Sequence, residues 1–113
     1  MAVHATIRHR DDALGEKART AIASLGVDTT LLQSTTRFPT GTATVTVSPQ
    51  GGASFAIARP AAYDAVAIAG DTLARLIEWG AGWMYHGTLF PSCADARALL
   101  NRLAAAVPGA VRV

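Results

Sequence analysis

One cysteine, Cys93, stands in a chain of 113 residues, which excludes an internal disulfide and a cysteine-based zinc site. Charge is scarce as well, at 16% of residues, and no three of the ten Lys and Arg are consecutive. A net charge of +2 without a basic run lacks the footprint of a protein that tracks a nucleic-acid backbone. No apolar run approaches the roughly 18 residues of a membrane span. The opening Met1-Ala2-Val3-His4-Ala5 lacks the apolar core of a signal peptide. Phosphate-cradling loops of the Gly-x-x-x-x-Gly-Lys-Ser/Thr or Gly-x-Gly-x-x-Gly kind are missing, and so are internal repeats and linkers. These absences predict a cytoplasmic, soluble protein with neither nucleic acid nor membrane as partner. What is present is apolar: half of the residues are hydrophobic, enough to build one domain and too few residues for two.

The most informative stretch lies in the middle. Thr42 to Val47 is rich in β-branched residues, Ser48-Pro49-Gln50-Gly51-Gly52 carries turn residues, and Ala53 to Arg59 alternates again. The pattern predicts an antiparallel hairpin over residues 42–47 and 53–59. Ala43, Val45 and Val47 share one face of the first strand; Thr42, Thr44 and Thr46 share the other. Phe55, Ile57 and Arg59 share a face of the second.

Before the hairpin, Val3 to Arg8 reads as a short strand. Asp11 and Asp12 stand where a helix begins, and Leu14, Ala18, Ala21, Ile22 and Leu25 recur on one helical face up to Gly26. Leu31 to Ser34 reads as a second strand. After the hairpin, Asp71 is the expected N-cap of a helix carrying Leu73, Leu76 and Ile77, ended by Gly80 and Gly82. Trp83 to His86 is a short apolar strand. Pro91-Ser92 opens a last helix, Ser92 with Asp95 as a capping box and Leu99, Leu100, Leu103 and Val107 as its buried stripe. Ala110 to Val113 begins a strand. Strand, helix, strand from Trp83 to Val113 is a parallel crossover that needs further sheet, so the chain reads as a segment of a larger α/β design.

Four phrases, in order along the chain, carry a family likeness. They are Asp11-Asp12-Ala13-Leu14-Gly15-Glu16-Lys17-Ala18, Leu25-Gly26-Val27-Asp28-Thr29, the hairpin from Pro39-Thr40-Gly41 to Arg59-Pro60-Ala61-Ala62, and Trp83 to Leu89 with the final helix and Val111-Arg112-Val113. Together they resemble the ribokinase-like (PfkB) carbohydrate kinases, fructokinase branch above all. The resemblance implies an α/β fold: a partial ribokinase-like, Rossmann-like core with a projecting hairpin lid. It implies one partial carbohydrate kinase domain over residues 1–113, with the lid at 40–60 and the strand-helix-strand unit at 83–113. It also implies ATP and Mg²⁺ for the complete enzyme, and a sugar as its substrate. By the same resemblance Ala43 and Val45 match lid positions that cover the sugar, and Arg59 matches a position that meets acidic or polyhydroxylated substrates in some branches. The departures are substantial. Nothing before Asp11 resembles the family's Gly-Gly-x-x-x-Asn, and Arg8-His9-Arg10 replaces a glycine-containing lead-in. The catalytic Gly-Ala-Gly-Asp and the nucleotide site have no counterpart here, and the expected Asp-x-Asn-x-Arg would begin beyond Val113. No catalytic, cofactor-binding or metal residue is therefore assigned.

Four polar groupings compete for a role. Gly51-Gly52 sits in a turn and not at a strand-to-helix junction, which is turn geometry and not a phosphate loop. Arg59 reads either as a substrate contact or as a solvated edge charge. Thr88, in His86-Gly87-Thr88 after an apolar strand, stands where open α/β sheets bind ligands, and reads as a sugar contact or a turn residue. His86, Ser92, Cys93 and Asp95 contain triad residue types without a nucleophile elbow, and His4, His9, Asp11 and Asp12 lack ligand spacing. Two functions remain: a segment of a sugar kinase, inactive alone, or a noncatalytic α/β module that associates with a second copy through its hairpin.

Overall fold

Asp12 fixes the start of the first helix. In this computed structural model, which describes residues 3–112 apart from the side chains of Ser92 and Arg112, Asp12 is extended and its carboxylate accepts the Gly15 N–H at 2.9 Å. That bond satisfies one of the N–H groups a helix start leaves unpaired. Helix α1 runs Ala13–Ser24, and Gly26 follows it at φ 74°, as the sequence predicts. Its burial departs from the predicted stripe. Leu14 and Leu25 are exposed, Ala18 and Ile22 are half-buried, and the buried residue is Gly15. A Cβ on Gly15 would collide with the Arg10 carbonyl, so the helix meets the neighbouring strand through its glycine and not through its leucines.

The chain divides into two units, Met1–Val66 and Ala67–Val113. In the first, strand β1 (Arg8–Arg10) pairs in parallel with β2 (Gln33–Thr35), His9 opposite Ser34. The strand expected at Val3 to Arg8 is corrected: before Arg8 the chain makes an isolated bridge, His4 to Asp28, with the Asp28 N–H donating to the Val3 carbonyl at 2.8 Å. The strand expected at Leu31 to Ser34 starts at Gln33, because residues 29–32 close a turn. The Leu32 N–H reaches the Thr29 carbonyl at 3.0 Å, and the Asp28 carboxylate accepts the Thr30 N–H at 2.8 Å. Leu31, Ala61 and Ala62 form this unit's core, with His9 buried beside them.

Strands β3 (Ala43–Val47) and β4 (Ala53–Ile57) form the hairpin in antiparallel register, Ala43 opposite Ile57, Val45 opposite Phe55 and Val47 opposite Ala53. Thr42, Ala58 and Arg59 lie outside the ladder. The Ser48 N–H donates to the Gly52 carbonyl at 2.8 Å, the Gly51 N–H to the Ser48 carbonyl at 2.9 Å, and Gly51 takes φ 83°, which favours glycine. A 3-10 helix at Ala62–Ala65 then packs on β1.

In the second unit, α2 (Gly70–Trp79) begins one residue before Asp71, with Ala69 at the N-cap. Asp71 is therefore not the cap; it lies in the first turn, where its charge faces the positive end of the helix. Gly80, left-handed at φ 60°, ends the helix through its N–H to the Ile77 carbonyl. Strand β5 (Trp83–Met84) is shorter than the predicted Trp83 to His86: among the described residues its ladder with β6 (Val111–Arg112) has the registers Trp83↔Val111 and Met84↔Arg112. Val113, part of the predicted last strand, lies outside the described residues. The pairing is parallel, as the predicted crossover requires. Pro91-Ser92 forms the end of a 3-10 helix, Phe90–Ser92, and α3 (Ala94–Ala106) starts after an extended Cys93. With Cys93 at the N-cap, Asp95 is one residue too early to close the predicted capping box. Ala96 and Leu99 are buried, and Leu100, Leu103 and Val107 are half-buried along the predicted stripe.

Candidate functional site

Because β1 and β2 are parallel, their carboxyl ends, Arg10 and Thr35, lie at one edge. The Asp11 N–H donates to the Thr35 carbonyl at 2.9 Å, and the N-terminus of α1 opens at the same edge. The lead-in to the hairpin is tied there: the Arg10 N–H donates to Thr40 Oγ1 at 2.9 Å, and the Ala62 N–H to the Pro39 carbonyl at 2.7 Å. Open α/β sheets bind ligands beyond this kind of edge. The hairpin thus rises from the edge of the sheet where a ligand site is expected.

Its faces separate by chemistry. Ala43, Val45 and Val47 line up with Ala53, Phe55 and Ile57 on one apolar face, and Thr44 and Thr46 pair with Ala56 and Ser54 on the other. All the ladder residues are exposed; Val47 at 66% and Phe55 at 70% show that the apolar face has no cover among the described residues. Ala43 and Val45, the predicted sugar-covering residues, stand side by side on that face.

Arg59 leaves the hairpin at its root, preceding a cis Pro60. Its guanidinium is not a bare edge charge. Nε donates to Asp64 Oδ2 at 3.2 Å, Nη2 pairs with Asp64 Oδ1, and the group lies 5.6 Å from the centre of the Tyr63 ring. The Ala61 N–H donates to Asp64 Oδ2 at 2.9 Å, so the carboxylate caps the 3-10 turn while holding the arginine. Burial works against the ionised form of Asp64, yet the hydrogen bonds from Arg59 and Ala61 and the Arg59 charge outweigh it and hold its pKa below 3.8. Tyr63 and Asp64 carry no sequence signal of this kind. Their pairing depends on the chain folding back after Pro60, and only an Asp three residues after Ala61, suited to reach back to a turn's first N–H, hints at it.

Thr88, the remaining predicted contact, is exposed in the loop after β5 and belongs to the second unit. His86 precedes it with Nδ1 at 3.1 Å from the Gly87 carbonyl. The second unit also has an open apolar cleft between the ends of α2 and α3, lined among the described residues by Ile77, Gly80, Gly82, Val107 and Pro108, none of them charged. Among the described residues no three His, Cys, Asp or Glu side chains come together to hold a metal ion. No described helix is long and apolar enough to cross a membrane.

No protein-family model matches the sequence, and no curated protein matches it significantly. Solved structures do. A fructokinase from Xylella fastidiosa superposes with a TM-score of 0.79 at 23% identity, over 98% of this chain and 34% of its own. A sugar kinase from Pyrococcus horikoshii superposes with a TM-score of 0.78 at 16% identity, over 99% of this chain and 36% of its own. The chain spans about a third of the length of these structures. Such identities speak for the backbone. Over nearly its whole length, this chain has the α/β fold of a segment of the ribokinase-like sugar kinases.

Proposed function

We propose that this chain is the lid-bearing segment of an ATP-dependent, fructokinase-like sugar kinase working in the cytoplasm, and that it does not phosphorylate sugar alone. The observation that carries the reading is the apolar face of the hairpin, rooted at the carboxyl ends of β1 and β2, in a fold shared with sugar kinases. In this reading Ala43 and Val45 cover the apolar face of a sugar ring and Arg59 offers a polar contact to its hydroxyl or acidic groups; Thr88, in the second unit, is proposed on its own as a further sugar contact. Phosphoryl transfer also needs a base for the attacking hydroxyl and positive charge or N–H groups for the phosphate. Those parts, with the sites for ATP and Mg²⁺, belong to the remainder of a complete enzyme.

Titration of the ¹⁵N-labelled chain with fructose, glucose and an acidic sugar, with and without Mg·ATP, tests the reading. The expected result is saturable shifts at the Ala43, Val45 and Thr88 amides and no sugar phosphate. Amides that no sugar moves would overturn the substrate role, and genuine turnover would overturn the incompleteness.

A second reading has its own support, the uncovered apolar face. A second copy laid against Val45, Val47, Phe55 and Ile57 buries it, and the chain then acts as a noncatalytic module that associates through the hairpin. A sedimentation series separates the two: a dilution-dependent dimer that sugars do not perturb favours association as the function.

A further inference from the structure

Tyr63 and Asp64 are neighbours on one turn, and each touches a different leg of the hairpin. The Tyr63 ring lies against Gly41 on the incoming leg, so close that a Cβ there would overlap the ring. Asp64 holds Arg59 on the outgoing leg through both carboxylate oxygens. The turn that carries both is itself fixed. Ala61 and Ala62 are fully buried, the Ala62 N–H is bonded to the Pro39 carbonyl, and the turn packs on β1.

We infer that Asp64 is a positioning residue: with Tyr63 it clamps both legs of the hairpin to the body of the first unit, setting the angle of the apolar face and the direction of the Arg59 guanidinium. The inference rests on the reading of the hairpin as a lid for what the clamp is for, but not for whether the clamp exists.

Three properties of the site carry it. The Asp64 side chain is 15% exposed and that of Arg59 27%, yet Arg59 as a residue is exposed, so it is fixed geometry and not shielding from solvent that sets this contact apart from an ordinary surface ion pair. Arg59 is engaged in a two-point contact, which fixes the plane of the guanidinium as well as its position. The ring beneath it adds a flat, weakly negative support at 5.6 Å. Inside the hairpin, by contrast, every ladder residue is exposed, so the ladder has no packing of its own to hold it against the body. Its orientation therefore depends on its root.

The experiment uses the whole chain and no sugar. ¹⁵N relaxation is measured across the hairpin, and amide exchange at Ala61, for the parent, Asp64→Asn, Arg59→Gln and the double variant. In Asp64→Asn the hairpin should loosen as one body while β1 and α1 keep their parent relaxation. Exchange of the Ala61 amide, which donates to Asp64 Oδ2, should rise about tenfold, as expected for loss of a charge-assisted hydrogen bond. Both single variants and the double should loosen the hairpin equally, because they break one contact. Unchanged hairpin relaxation in Asp64→Asn, or additive effects in the double variant, would overturn the clamp. Should Asp64→Asn fail to fold, Tyr63→Leu probes the incoming leg independently, and a hairpin as rigid as the parent's would refute it. Failure of a sugar to bind leaves all these outcomes unaffected, so the clamp and the kinase reading fail separately.

Discussion

Replacing Gly15 with alanine sets two physical terms against each other, and the structure decides the sign. Helix propensity favours the change, since alanine in a helix interior is better than glycine by about 0.5–1 kcal/mol. Tertiary packing opposes it. The new Cβ would strike the backbone carbonyl of Arg10 and come within 2.7 Å of His9 Nδ1. His9 is buried, and that nitrogen lies 2.8 Å from the same carbonyl. Neither atom is the free end of a flexible side chain, so α1 must move off β1. Overpacking of this kind costs about 1–3 kcal/mol, and disturbing the His9 contact adds on the order of 1 kcal/mol. The net expectation is a loss of about 2 kcal/mol. With a urea slope near 1 kcal/mol per M for a small domain, the midpoint should fall by about 2 M. Gly70→Ala is the matched control: it starts α2, and nothing lies within 4 Å of its added Cβ. That variant should hold or slightly raise stability. Urea titrations followed by circular dichroism, with NMR to assign the transition to each unit, make the comparison. A Gly15→Ala chain as stable as the parent would refute the close approach of α1 to β1.

Gly51→Ala should cost about 1 kcal/mol and weaken the turn, because φ 83° strains any side chain, and it should do so without a steric clash, the space around it being open; cross-strand NMR contacts between Val45 and Phe55 would report the loss. Exchanging both Val45 and Phe55 for Thr keeps β-favouring residues in both strands but removes apolar area, so any dimer seen by light scattering should dissociate; a dimer that persists does not use this face. For Asp64, whose folded pKa is depressed, the contribution to stability is complete above its ordinary value of 3.8 and disappears as pH falls through the lower folded value. Protection of the Ala61 amide should therefore be flat from neutrality to about pH 5 and decline in more acid solution, with the Asp64-dependent part of that decline absent from Asp64→Asn.

Much of this architecture is legible in the chain itself. Asp12 before an apolar periodicity, Gly26 after it, a β-branched run facing an alternating run across Pro49-Gln50-Gly51-Gly52, and a last apolar stripe at Leu99, Leu100 and Leu103 are local signals. They act within a few residues through capping, turn geometry and face periodicity, so the sequence is sufficient to place α1, the hairpin and α3. The pairing of Ala43 with Ile57 and Val45 with Phe55 follows from the turn. What needed tertiary structure is whatever depends on residues distant along the chain or on competing ways to end an element. Which residue of α1 meets β1 was set by the approach of Gly15 to the Arg10 carbonyl, not by the leucines that mark the stripe. The start of β2 at Gln33 was set by a turn held by Asp28, and the start of α3 by an extended Cys93. Above all, Arg59 reads in the sequence as either an edge charge or a ligand contact; only the fold-back after Pro60 brings Asp64 and Tyr63 to it. A charge's partner in space is fixed by the path of the backbone, and that path is held here by the buried residues Leu31, Ala61 and Ala62.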